Sequence, residues 1–251
     1  EEFDEQQLLR DLDKFRDFTK TTEGIFAPWA IYKDDYWAVG GHDKLFAPQS
    51  KEDSDIFNRL YLNGCKFIQT WGSFVYHMTS RGSRFNPMAG GAPGKDSPEW
   101  LHTTTKNMRN FIRKWGTMVK HDSLMKPIVV PKYDIGFVVK NCNEQLLNLL
   151  EPFCSTIYVD TFAQDYIDKE QPNTLYDLND RIYSIDVDVQ NDIEVRFDGV
   201  QFETQEQFQL LIQLPEILDD SGEIGLMELG VFEIQINKLK TYEGELIKCD
   251  V

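Results

Sequence analysis

Cysteine is scarce in this chain, and the four present, Cys65, Cys142, Cys154 and Cys249, lie far apart with no C-x-x-C pair. That spacing suggests neither a zinc site nor a dense disulfide framework and predicts reduced thiols. Long hydrophobic runs are missing too. No stretch approaches the ~20 apolar residues a membrane span requires, and the acidic N-terminus has no signal-peptide core. The expectation is a cytoplasmic protein with no membrane span. Internal repeats and low-complexity tracts are absent, and the run after Val139 is Lys140-Asn141-Cys142-Asn143 rather than a G-x-G-x-x-G dinucleotide fingerprint. The sequence opens on Glu1 rather than Met and is read as a piece of something longer.

What is present is a globular composition, with 41% hydrophobic and 13% aromatic residues in 251, enough for one large domain or two modest ones. The net charge of −16 is unevenly spread: −5 over residues 1–77, +6 over 78–126 and −17 over 127–251. A basic island in an acidic protein suits a small phosphorylated ligand. Nucleic acid fits poorly, because the remaining surface would repel a polyanion. The plainer reading of the island is a solvated basic face.

Periodicity predicts an amphipathic helix over 5–20, with Leu8, Leu9, Leu12, Phe15 and Phe18 on one face and Asp4 as N-cap. A second helix is expected over 53–63 with Ile56, Phe57, Leu60 and Tyr61 inward, stopped at Gly64, followed by strands at 66–70 and 73–77. Residues 79–98 read as a long loop, and a helix of about twenty residues with Phe111, Ile112 and Trp115 inward comes next. Pro127 and Pro131 mark a boundary, so the division expected is 1–126 and 127–251. The second part reads as a small α/β domain: a βαβ unit from strands at 135–139 and 156–159 with a helix at 144–150, then strands at 181–187 and 193–197, a helix at 205–218 and strand material at 225–236.

The informative region is 29–83. Trp37, Val39-Gly40-Gly41-His42-Asp43, Glu52-Asp53, Arg59-Leu60, Gly64 and His77 stand in that order, and Asn107, Phe111 and Lys114-Trp115-Gly116 follow. This succession resembles the acceptor-binding, catalytic-base half of the inverting GT-A glycosyltransferases of family 2, over about 90 residues. The resemblance implies an α/β fold with a partial GT-A-like domain followed by the smaller α/β domain. It also implies transfer of a sugar from a nucleotide-diphospho-sugar to a glycan or other hydroxyl acceptor. Similar tails occur on glycosyltransferases of tailed phages.

Inverting transfer needs a carboxylate to take the acceptor proton. By resemblance that base is Asp53, paired with Glu52; otherwise Lys51-Glu52-Asp53 is good helix-start chemistry and nothing more. His77 is implied as a ligand of Mn²⁺ or Mg²⁺, and imidazole suits the former better. Arg81, Ser83 and Arg84 are suited to gripping the donor diphosphate. Trp29, Gly41 and Asp43 fall on the acceptor side, and Trp29, Trp37 and Trp71 are candidates for stacking on sugars or for the core.

The chain departs from the pattern in one respect. The family's nucleotide-binding βαβ half, which ends in Asp-x-Asp, does not precede Phe26. Asp186-Val187-Asp188 comes after the acceptor half and alternates like an ordinary strand. An upstream or separate donor half is therefore expected as a partner. Two other readings stay open: a metal-dependent hydrolase gathering Glu52, Asp53, Asp55 and His77 around an ion, and a non-catalytic carbohydrate-binding module.

Overall fold

The computed structural model describes residues 3–76 and 83–249. The first part holds α1 (Glu5–Phe15), β1 (Thr21–Glu23), α2 (Lys33–Ala38), α3 (Glu52–Leu62), β2 (Ile68–Thr70) and α4 (Pro98–Trp115). β1 and β2 pair antiparallel, Thr22 opposite Gln69. α1 starts where Asp4 accepts from the Gln7 N–H, but it stops at Phe15, so Phe18 lies beyond it. Residues 73–76 form no strand, and the expected loop holds two short 3-10 turns at Ser83–Phe85 and Pro87–Ala89.

The second part is mixed α/β with a mostly parallel six-stranded sheet. Its elements are β3 (Ile135–Lys140), α5 (Glu144–Leu150), β4 (Thr156–Val159), α6 (Gln164–Glu170), β5 (Ile182–Ser184), β6 (Ile193–Asp198), α7 (Gln205–Ser221), β7 (Gly225–Leu229), β8 (Phe232–Ile236) and α8 (Glu243–Leu246). The strand order is β5-β4-β3-β6-β8-β7. β3 pairs parallel with β4 and β6, β4 pairs parallel with β5, and only β8 runs against its neighbours. The strand expected at 225–236 is a hairpin that reverses between Leu229 and Phe232. β5 ends at Ser184, so Asp186 and Asp188 are exposed turn residues rather than part of an alternating strand.

One sheet face carries Phe137, Val139, Ile157, Val159, Val195, Phe197 and Ile234 into a core with Leu147 and Leu150 of α5, Ile167 of α6 and Leu214 and Leu218 of α7. Burial along β6 and β8 alternates, which leaves Arg196 and Glu233 on the solvent side. A separate small core in the first part is built on Val39, Ile56, Leu60 and Phe67. A third joins the parts: Leu45, Phe46, Phe111 and Trp115 pack with Val129, Tyr176 and Leu246.

Lys132 ties the same seam. Its residue is only half-buried, but its amine turns inward and donates to the Arg113 and Lys114 carbonyls, the last turn of α4. Burial pulls its pKa down to about 7, and Arg181 and Lys114 push it the same way. An amine harder to protonate folded than unfolded makes stability rise as pH climbs from about 7 towards 10.5. In Lys132→Met that rise should disappear. Urea midpoints of the two proteins at pH 7 and pH 9 check it, a parallel pH response in both being the contrary result.

Candidate active site

The motif residues meet around one buried carboxylate. Asp55, in the first turn of α3, is fully enclosed. The Arg59 guanidinium, one turn on and equally enclosed, donates to it at 2.8 Å. From α4, the Trp115 indole N–H donates at 2.9 Å and the Lys114 amine lies 2.7 Å away. Lys114 also reaches Asp43 at 2.8 Å. Arg59 goes on to donate to the carbonyls of Val39 and Gly41, the latter at 2.7 Å. The Val-Gly-Gly-x-Asp turn, the Glu-Asp helix, Arg59-Leu60 and Lys114-Trp115-Gly116 are thus one assembly. The spacing of Asp55 and Arg59, four apart on a helix, explains their pairing. Burial would raise the Asp43 carboxyl, but Lys114 and the Leu45 N–H outweigh it and hold its pKa below the usual value.

The tail of the chain closes the turn from outside. The Cys249 N–H donates to the Val39 carbonyl, and its Sγ lies 3.4 Å from the Gly40 carbonyl oxygen. Gly40 sits at φ 79°, where a Cβ would fall 2.4 Å from the Cys249 carbonyl oxygen. At Gly41 the Cβ position is taken by the Tyr36 ring, 2.9 Å away. The two glycines therefore admit the tail and a tyrosine. Gly40→Ala combines left-handed strain with a backbone clash and should cost about 2–3 kcal/mol. Urea denaturation measures it, and a loss below about 0.5 kcal/mol would contradict the packing.

A second buried ionic cluster locks α4 onto the sheet part. Glu151, fully enclosed, accepts from Arg113 at 2.7 Å, Arg181 at 2.7 Å and the Tyr166 hydroxyl at 2.9 Å. Arg113 also meets Glu170 at 2.5 Å, and Arg109 meets Glu170 at 2.7 Å and the Asn148 carbonyl at 2.7 Å. Six residues back from Arg113, about 9 Å along the axis, the Asn107 amide donates to the carbonyls of Phe46 and Gln49 at 2.7 Å each. One turn on, the Asn110 amide reaches the carbonyls of Leu45 and Asn173, and Tyr176, which precedes β5, packs with Leu45 and Phe46.

Between β3 and β6 the strand order reverses, because β3 leads to β4 on one side and β5 leads to β6 on the other. Asp160, after β4, accepts from the backbone N–H groups of Asn141 (2.6 Å) and Cys142 (3.0 Å). Asp198, ending β6, accepts from the Asn141 amide and the Val200 N–H, each at 2.9 Å.

No protein-family model, curated protein or solved structure matches the chain.

Of the residues singled out from sequence, Glu52 and Asp53 open α3 and are half-buried. Asp53 makes no hydrogen bond or ion pair among the described residues, whereas both oxygens of Asp55 are engaged by Arg59, Lys114 and the Trp115 indole. Trp29 packs edge-on against Phe57 and His42 and is half-buried, while Trp37 is 51% exposed. Arg84 is engaged: it donates to Asp96 at 2.6 Å and lies over the Phe85 and Trp100 rings. A diphosphate would have to displace Asp96. Ser83 starts the first 3-10 turn, and His77 and Arg81 lie outside the described residues. Among the described residues no three His, Cys, Asp or Glu side chains gather as a metal site. With Asp55 enclosed by Arg59 and Lys114, the remaining carboxylates of α3 do not fit a divalent ion by themselves, and the hydrolase reading loses one of its ligands. In the sequence reading Arg113 and Glu151 have no role, Asp55 appears only as an ion ligand of the hydrolase alternative, and Asn107 only as a member of the motif succession. Only the Asp55/Arg59 spacing carried a signal.

Proposed function

We propose that the chain carries an inverting glycosyltransferase site, using a nucleotide-diphospho-sugar and an acceptor hydroxyl. The observation that supports this most is the convergence of the separate motif pieces on Asp55, with Asp53 left unpaired two residues away at the head of α3. A carboxylate at the positive end of a helix dipole stays ionised, as a base must. In the reaction, Asp53 accepts the acceptor hydroxyl proton as that oxygen attacks the anomeric carbon. The bond from that carbon to the diphosphate oxygen breaks on the opposite face, and the nucleoside diphosphate leaves.

One donor position this reading offers lies within the sheet part. Open α/β sheets bind ligands outside the carboxyl ends of their strands, where the strand order reverses. The switch point between β3 and β6 fits that rule, with Asn141, Asp160 and Asp198 beside it. In this reading the acceptor half precedes the donor half along the chain. Nucleotide titrations separate this arrangement from an upstream donor half. Asp198→Ala should weaken binding of a nucleoside diphosphate about tenfold or more, as expected for a lost charge-assisted contact. Unchanged affinity would locate the donor elsewhere.

A further inference from the structure

No residue of α1 is buried, although Leu8, Leu9, Leu12 and Phe15 give it an apolar side. One flank of that side rests on the ridge 74–76: the Phe15 ring lies 4.9 Å from Phe74, and Phe3 lies 4.7 Å from Tyr76. The ridge is itself open, with Phe74, Val75 and Tyr76 exposed, and so is Leu9 on the other flank of the helix. A contiguous apolar surface of this kind is uncommon on a monomer and marks an interaction face.

The spacing along the open flank identifies what covers it. Glu5, Leu9, Leu12 and Arg16 are separated by four, three and four residues, the repeat that keeps side chains in one line along a helix. Arg16 caps α1 in helical conformation, at φ −52° and ψ −37°, so the line continues through it. Reversed, the line is complementary to itself. A second copy laid antiparallel, about a two-fold axis at the level between Arg10 and Asp11, sets Leu9 against Leu12 and Glu5 against Arg16, twice over. Such an exchange, in which one residue meets another and the second meets the first, defines an isologous contact. A parallel copy would set Glu5 on Glu5 and Arg16 on Arg16. Glu5 has no ion pair among the described residues, and the pair of Arg16 with Asp13 is solvent-exposed on both sides, so it exchanges at little cost.

A lipid surface fits less well. Interfacial helices carry a polar side rich in Lys and Arg, whereas here Asp11 and Asp13 stand beside Arg10 and Lys14. An 11-residue helix such as α1 is about 16 Å long and 10 Å wide. Alone it cannot cover the ~800 Å² per partner of a standard interface, so the ridge beside it belongs to the contact.

We propose that α1 and the ridge 74–76 form a self-association surface, two copies pairing α1 antiparallel with Leu9 against Leu12 and Glu5 against Arg16. The claim is independent of the transferase reading.

Sedimentation equilibrium of the full chain tests it, over about 10 to 1,000 µM to span weak interfaces. The wild type should pass from monomer to dimer across that range. Glu5→Lys and Arg16→Glu should each weaken the dimer about fivefold or more, because both ion pairs of the dimer become like-charged contacts. Mixed one to one, the two variants should form a heterodimer about as tight as the wild-type dimer, since each supplies the charge the other lacks. Both substitutions also place an unfavourable charge at an end of the helix dipole. Mixing cannot repair that, so recovery reports pairing between copies and not helix stability. A wild type that stays monomeric overturns the proposal. So does a mixture that associates no better than either variant alone, or a pair of variants that each dimerise like the wild type. Wild-type binding to phosphatidylcholine vesicles without self-association would assign the face to lipid and equally overturn it.

Discussion

Glu151→Ala is expected to destabilise the protein by about 3–5 kcal/mol, the cost of stranding buried charges after removing their partner. Arg113 and Arg181 both point at this carboxylate, and Tyr166 donates to it, with no water-exposed alternative for Arg113. Burial alone would raise the Glu151 pKa, but Arg181 and Arg113 outweigh it and hold the carboxyl at about 2. A folded pKa below the unfolded value of 4.5 gives stability that is complete above 4.5 and drains away as pH falls towards 2. The wild type should therefore lose stability over that acid range more steeply than Glu151→Gln. Urea unfolding at pH 7 and pH 3 measures both effects. Because Glu151 links α4 to the sheet part, hydrogen exchange in α4 should also speed up in the variant. A loss below about 1 kcal/mol, or unchanged exchange, would mean that the cluster does not hold the two parts together.

The second large effect concerns chemistry. Asp53→Asn keeps the shape of the α3 head and removes a carboxylate charge that has no partner among the described residues. If Asp53 is the base, transfer should fall about 10²–10⁴-fold, the usual contribution of a positioned base, while nucleotide affinity and melting temperature stay near wild type. Asp55→Asn should behave differently. It breaks the buried contacts with Arg59 and Lys114, so stability falls together with activity. That contrast separates a base from a structural carboxylate two residues away, which sequence proximity cannot do.

Much of the architecture was legible in the residues. Alternation and apolar runs placed β3, α5, β4 and β6 within a residue, and α7 at its start but three residues short at its end, because β3 and β4 are continuous apolar runs and the others bury one face. The failures have physical reasons. α6 went unread because only Tyr166 and Ile167 of its seven residues are buried apolar positions, beside a buried Glu170 engaged by arginines, a weak periodic signal. The turn inside 225–236 falls at Gly230, whose φ of 63° suits glycine, a single-residue signal between two strand-like stretches. At the site, order and spacing brought the motif pieces to notice, but their partners are distant in sequence. Lys114 finds Asp43 across 71 residues and Arg113 finds Glu151 across 38. Nothing local announces such pairs. The same holds for the tail: nothing around Cys249 indicates that it fills the space left by Gly40.

The measurement that bears most directly on the account is nucleotide release from a panel of UDP-, GDP- and dTDP-sugars, with and without a hydroxyl acceptor, by the wild type and by Asp53→Asn. The account predicts that at least one donor is consumed faster when acceptor is present, and that Asp53→Asn abolishes this stimulation while still binding the nucleotide. A wild-type chain that neither binds nor turns over any donor, or an Asp53→Asn variant that transfers at the wild-type rate, would contradict it.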